Sequence, residues 1–307
     1  MALFRENSSS SSAAHFDPPF EVLQNGPINK PVVFNSPHSG NTYPLHFVEG
    51  SKLDSHALRR SEDALVDILF QPVVTLGMPL IKVNFPRAYL DVNREPYELD
   101  PSMFRQQLPD YVNTSSMRVA GGLGTIPRVV SETEEIYREL LDFEEAEDRI
   151  QNLYVPYHGR LEGLLNECRA RFGEVLLVDC HSMPSSVNPA FSHETDNRRP
   201  DFVLGDRYGS TCNGAITDTF EALLIDAGYT VARNKPYAGG HITQHYGRPA
   251  HNRHAMQVEV NRALYMDETT LLAHEGFAQL QDKLAEIIEH FVSQLPSILN
   301  PGSIAAE

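Results

Sequence analysis

Short runs of apolar and β-branched residues, bounded by Pro, Gly or Asn, alternate along this chain with longer stretches of helical periodicity. PVVFN (31–35), PLIKVNF (79–85), EVLLVDC (174–180), DFVLG (201–205) and MQVEV (256–260) have the length and composition of buried strands. Between them the spacing predicts a helix over 53–70, with Leu58, Leu65, Ile68 and Leu69 on one face. It also predicts a helix over 134–172 with a break near Pro156, and amphipathic helices over 215–227 and 268–293. Strands alternating with helices imply an α/β fold, one sheet covered on both faces, within a single domain over residues 20–298. Residues 1–19, Ser-rich and then Pro-rich, read as a flexible lead-in, and 299–307 as a short tail.

Composition narrows the function. Hydrophobic residues make up 41% of the 307 positions, including 15 Phe and 12 Tyr, enough for a sizeable core. A net charge of −16 leaves no basic surplus for nucleic acid or an anionic membrane. The basic residues are nonetheless 20 Arg against 5 Lys, and Arg is the side chain that grips carboxylates with a planar fork. Cys168, Cys180 and Cys212 are odd in number and lack CxxC spacing, so neither a disulfide framework nor a thiolate metal site is expected, and a reducing cytoplasm suits them. No apolar run has signal-peptide character or reaches about 18 residues, so neither export nor a membrane span is expected.

In open α/β sheets the chemistry lies just beyond the carboxyl ends of the strands. The first strand runs into Ser36-Pro37-His38-Ser39-Gly40 and the third into Asp179-Cys180-His181-Ser182. Two strand-end histidines with a carboxylate would make a three-ligand catalytic metal site with a fourth position for water. The Arg60-Ser61-Glu62-Asp63 segment offers that carboxylate, as Asp63 in preference to Glu62, unless both merely serve a helix N-terminus. The second strand leads to Arg87, Asp91, Asn93 and Arg94, which reads as an anion pocket: Asp91 steadies one guanidinium while the other and Asn93 meet the substrate. On the last strand Val258 and Val260 alternate with Gln257, Glu259 and Asn261. A carboxylate buried there, at Glu259, fits a proton-shuttling role, the alternative being a pair with Arg262 or with a core arginine. The Gly- and His-rich segment 234–247 reads as a mobile loop without stable helix, carrying at most one substrate-contacting histidine, taken here as His241. The Gly-rich segment 117–128 lacks both a P-loop ending and a dinucleotide fingerprint, so no nucleotide is implied. Ser39 and Ser182 adjoin histidines, but no GxSxG elbow is present.

Seven segments in order carry a family resemblance: SPHSG (36–40), SEDALVD (61–67), NFPRAYLDVNREP (84–96), GLGTIPR (122–128), DCHSMPS (179–185), NKPYAGGHITQHYG (234–247) and QVEVNRALYMDE (257–268). Together they resemble the N-formylglutamate amidohydrolases, which are related to the zinc carboxypeptidase-like hydrolases. The resemblance implies a zinc carboxypeptidase-like (phosphorylase/hydrolase-like) architecture, a mixed sheet flanked by helices with one zinc. Carried onto this chain, it implies His38, Asp63 and His181 as metal ligands and Glu259 as the catalytic carboxylate. It also places Asn93 and Arg94 on a substrate carboxylate. The pattern departs at position 41, which is Asn where the carboxypeptidases have an acidic residue. The reaction so implied is hydrolysis of N-formyl-L-glutamate, with Arg87 at the oxyanion and Arg118 assisting Arg94 and Asn93 at the carboxylates. Hydrolysis of another N-acyl amino acid or a small peptide by the same chemistry is the alternative, and a catalytically silent relative that binds an acidic metabolite is a third reading.

Overall fold

A computed structural model of the chain describes residues 11–130, 134–186 and 199–299. Seven strands form its main sheet: β1 (Phe20–Leu23), β2 (Val32–Ser36), β3 (Leu80–Val83), β4 (Val175–Met183), β5 (Phe202–Gly205), β6 (Val231–Arg233) and β7 (Arg253–Asn261), in the order β1-β3-β2-β4-β7-β5-β6. The four central strands β3, β2, β4 and β7 are mutually parallel. β1 runs antiparallel to β3, and β5 antiparallel to β7, so the sheet is mixed. The five expected strands all appear, and β1 and β6 are short edge strands too brief to stand out in the sequence.

Helices cover both faces: α1 (Leu45–Glu49), α2 (Ser55–Leu58), α3 (Val66–Phe70), α4 (Met117–Ala120), α5 (Phe143–Arg149), α6 (Val155–Phe172), α7 (Gly214–Asp226), α8 (His241–Tyr246) and α9 (Gly276–Leu299). Strand alternation divides the core in two. Val33, Ile81 and Leu177 pack with Leu161, Leu164 and Cys168 of α6 on one side. Val32, Leu176, Val258 and Val260 pack with Leu69, Phe220 and Leu284 of α3, α7 and α9 on the other. A strand sandwiched in this way is apolar throughout, which is why these runs were visible as near-continuous hydrophobic segments.

Several expected boundaries move. The helix over 53–70 is broken into α2, a 3-10 turn at Arg59–Ser61, and α3, with Glu62 extended and Leu65 left-handed at φ 67°. Ile68 consequently faces solvent while Leu58 and Leu69 are buried, so the four residues do not share a face. The break is held by the Asp63 amide, which donates to His38 O at 3.0 Å. The long helix begins at Phe143 rather than 134, and Pro156 does not interrupt it. A π turn at Ile150–Tyr154 precedes the proline, and such a widened turn accommodates a residue that cannot donate. The last helix starts at Gly276, because Met266–Asp267 pairs with Leu272–Ala273 in a small hairpin.

The lead-in is also more ordered than its composition implies. Ser12–His15 forms a 3-10 turn, the Ser12 amide donates to Asp148 Oδ2 at 2.6 Å, and Phe16 is buried edge-on against Phe85 and Tyr89. One aromatic side chain anchors an otherwise polar segment. The expectations for residues 1–10 and 300–307 lie outside the described residues. Among the described residues no helix is long and apolar enough to cross a membrane, and all three cysteines are free and buried.

Candidate active site

The four parallel strands end at one edge of the sheet, and their lengths decide what protrudes there. Pairing of β2 with β4 stops at Asn35↔Asp179, whereas β4 and β7 continue together through His181↔Glu259 to Met183↔Asn261. His181 and Glu259 therefore stand side by side beyond the end of β2, where the chain turns and brings in His38. Asp63 arrives from the break before α3, and the loop after β3 supplies Arg87, Asp91, Asn93 and Arg94. These residues line a cavity of about 820 Å³, to which Arg60, Arg118 and Arg262 also contribute.

His38, Asp63 and His181 are all buried, and their ligand atoms lie within 4.8 Å of one another. Asp63 Oδ2 is 3.4 Å from His38 Nδ1 and 2.9 Å from His181 Nδ1. Ligands each ~2.0–2.1 Å from a tetrahedral ion stand roughly 3.3 Å apart, so the spacing and the two-nitrogen, one-oxygen donor set fit zinc. His38 Nδ1 makes no hydrogen bond although it is fully buried, as expected of an atom reserved for coordination. The other nitrogen of each ring meets a second carboxylate: His38 Nε2 is 2.7 Å from Asp91 Oδ1, and His181 Nε2 is 3.0 Å from Asp179 Oδ2. The Asp91 hydrogen bond fixes the His38 tautomer and aims its Nδ1 at the shared point, whereas Asp179 Oδ2 lies close to His181 Nε2 without a hydrogen bond, and that nitrogen is also 3.3 Å from Asn93 Nδ2.

Charge in the group is tightly coupled. Burial disfavours ionised Asp63, but His181 and His38 outweigh it and hold the carboxyl well below its usual range. Asp91 is likewise held well below by Arg94, His38 and Arg87, against the opposing effect of burial. Burial would lower His181, yet Asp179 and Asp63 push it well above an ordinary imidazole. Glu62, the other acidic residue of its segment, is engaged elsewhere. It accepts from Tyr43 Oη at 2.6 Å and Arg59 Nε at 3.1 Å, so Asp63 alone of the two belongs to the group.

Glu259 is buried, and its Oε1 accepts from Gln257 Nε2 at 2.7 Å, while Gln257 Oε1 accepts from the Gly240 amide at 2.8 Å. Burial raises the Glu259 carboxyl to about 7, in the range useful for moving protons at neutral pH. The alternative pairing with Arg262 does not occur: that guanidinium donates to Ser182 Oγ, Glu62 O and Asp63 Oδ1. Arg87 Nε donates to Asp91 Oδ2 at 3.0 Å. Arg94 is nearly buried, donating to Leu123 O at 2.7 Å and Asn93 O at 2.8 Å. Burial lowers its guanidinium to about 10, which leaves it cationic at neutral pH. Arg118, a third exposed, lies 3.7 Å from Glu98 at the cavity wall.

The 234–247 segment corrects an expectation. Its double glycine precedes a helix rather than preventing one: Gly239 and Gly240 deliver the chain into α8. A Cβ on Gly240 would lie 2.5 Å from the Asn93 amide, so only glycine allows this approach, and the Ile242 amide donates to Asn93 Oδ1 at 2.8 Å. The cavity wall here is Pro236 to Gly240. His241 does not line the cavity itself; it follows Gly240 directly, stacked on His245 at 5.3 Å and edge-on to His158 at 6.1 Å. Asp179 and Gln257, by contrast, join the site with no role expected from the sequence. The signal was present in both cases, since each lies two residues before a site residue on the same face of its strand.

The family profile described as N-formylglutamate amidohydrolase matches residues 30–266. The N-formylglutamate deformylase of Pseudomonas aeruginosa is 30% identical over 279 residues, which cover 90% of this chain and 96% of that protein. That of Pseudomonas putida is 29% identical over 268 residues, covering 86% and 90%. The crystal structure of N-formylglutamate amidohydrolase from Ralstonia eutropha matches with a TM-score of 0.85 at 36% identity, over 91% of this chain and 98% of that one. A profile match across most of the chain, with relatives aligned over nearly their full lengths, places this chain in the N-formylglutamate amidohydrolase family.

Proposed function

We propose that the chain, an amidohydrolase by its family, hydrolyses N-formyl-L-glutamate to formate and L-glutamate using one zinc ion held by His38, Asp63 and His181. The observation that carries this reading is the proximity of that buried trio to a buried carboxylate and to several guanidiniums in one cavity. When bound, zinc would supply Lewis acidity to the formyl carbonyl and to the attacking water. Glu259, its orientation set by Gln257, takes the proton from the water as the oxygen adds to the formyl carbon. It then returns that proton to the departing amide nitrogen as the C–N bond breaks. Arg87 offers positive charge to the developing oxyanion. Arg94, Asn93 and Arg118 hold the α- and side-chain carboxylates. In a protein of net charge −16, local arginines are needed to draw in a dianion that the overall field repels.

Three free, buried thiols fit a cytoplasmic enzyme. The substrate assignment is tested by formate or acyl release from N-formyl-L-glutamate, N-formyl-L-glutamine and N-acetyl-L-glutamate. The highest kcat/KM is expected for the first, because it alone presents both the small acyl group and two carboxylates. A clear preference for either of the others contradicts the assignment.

A further inference from the structure

Asp91 touches the metal-site histidine and the guanidiniums of the cavity at once. Its Oδ1 takes His38 Nε2 at 2.7 Å and the Asn93 amide at 2.8 Å. Its Oδ2 takes Arg87 Nε at 3.0 Å and lies 3.5 Å from Arg94 Nη2. The Asp91 amide is itself pinned to Thr125 O at 2.9 Å, so the side chain cannot drift toward one partner without leaving another. Asp179 gives the internal comparison. It is equally buried and faces His181 Nε2, but its other oxygen accepts from Asn35 Nδ2 at 2.6 Å, and Asn35 accepts in turn from the Tyr157 hydroxyl. That chain leads into the core beneath the sheet edge and reaches no guanidinium.

We infer that Asp91 is a shared positioning residue, which sets the metal affinity through His38 and the substrate-anion affinity through Arg94. Asp179 sets the metal affinity alone. The physical basis is the split of one carboxylate between two tasks. The Oδ1 contact orients His38 so that Nδ1 faces the metal point. The Oδ2 contact holds two mutually repelling guanidiniums in place, Arg94 for a carboxylate of the substrate and Arg87 for the developing oxyanion. The inference rests on the zinc and substrate assignments proposed above, and both are read first on the wild-type protein.

The test compares Asp91→Asn with Asp179→Asn. The dissociation constant for zinc is measured by competition with a chelating dye, and KM and kcat for N-formyl-L-glutamate are measured at saturating zinc. Loss of a carboxylate partner of a metal-bound histidine weakens metal binding by about 10–100-fold, and that loss is expected in both variants. KM should rise by about tenfold or more only in Asp91→Asn, as expected for loss of charge-assisted positioning, and stay within about twofold of wild type in Asp179→Asn. An Asp91→Asn protein that leaves either zinc affinity or KM unchanged overturns the inference, as does an equal rise of KM in both variants, which would mark a general loosening of the site. Should Asp91→Asn fail to fold by circular dichroism, Asp91→Glu keeps the charge but misplaces it, and the same two quantities must both move. A wild-type protein that binds no zinc or releases no formate removes the functional reading first, and this inference falls with it.

Discussion

Replacing Glu259 by Gln tests the division of labour in the cavity with the least disturbance. The amide matches the carboxylate in shape and retains an oxygen for the bond from Gln257, so the local packing around a side chain only 6% exposed is preserved. What is lost is the ability to take a proton from water and pass it to the leaving nitrogen. General acid–base groups contribute about 10²–10⁴ in rate, equivalent to about 3–5 kcal/mol of barrier, and kcat should fall by that factor. KM should change little, because the anion-holding groups Arg94 and Asn93 keep their own partners. Stability should move the other way. The folded Glu259 carboxyl sits at about 7, above its ordinary value of 4.5, so its ionisation works against folding. Its favourable contribution is complete below the ordinary value and lost as pH rises through about 7. In metal-free protein at pH 8, Glu259→Gln should therefore melt at or above the wild-type temperature, and the difference should shrink as pH is lowered below 7. Stopped or continuous formate assays with zinc-loaded protein, paired with thermal melts of the chelated form, measure both effects. A variant that retains kcat within about tenfold of wild type while melting normally refutes the assignment of Glu259 as the proton carrier.

Other substitutions separate the remaining roles. Asp63→Ala should abolish stoichiometric zinc by elemental analysis, whereas Glu62→Gln, whose contacts are to Tyr43 and Arg59, should keep it; equal metal loss in both would contradict the choice of ligand. Arg94→Ala should raise KM for N-formyl-L-glutamate by about tenfold or more while altering kcat far less than Glu259→Gln does, and steady-state kinetics on the two variants checks the contrast. Gly240→Ala forces a methyl to within 2.5 Å of the Asn93 amide. Relief of such crowding costs about 1–3 kcal/mol, so the variant should show a lower melting temperature together with a raised KM, and an unchanged KM would mean that Asn93 does not bind substrate.

Much of this architecture was legible in the chain because burial on both faces makes central strands read as continuous apolar runs. The four polar clusters that follow them lie at one edge because β3, β2, β4 and β7 are parallel. The alternation that set Glu259 apart from Val258 and Val260 carried over directly into the core and the cavity wall. What did not carry over was governed by contacts distant in sequence. Helical periodicity over 53–70 could not reveal the break at Glu62–Leu65, which is held by the bond from Asp63 to His38 O across the site. The glycines before His241 weaken a helix in isolation, yet here they permit α8 to dock on Asn93 and Gln257. The pairing of His38 with Asp91 and of His181 with Asp179 likewise depends on register and loop geometry, which spacing alone does not encode.

The central claim, a zinc-dependent deformylase built on His38, Asp63 and His181, is tested most directly by one cycle of measurement. Formate release from N-formyl-L-glutamate is followed with purified protein, then after removal of metal by chelation, and again after adding back one equivalent of zinc. Activity that disappears with chelation and returns with zinc is the predicted result. Undiminished release from fully metal-free protein would contradict the account, as would the absence of release from protein carrying one zinc per chain.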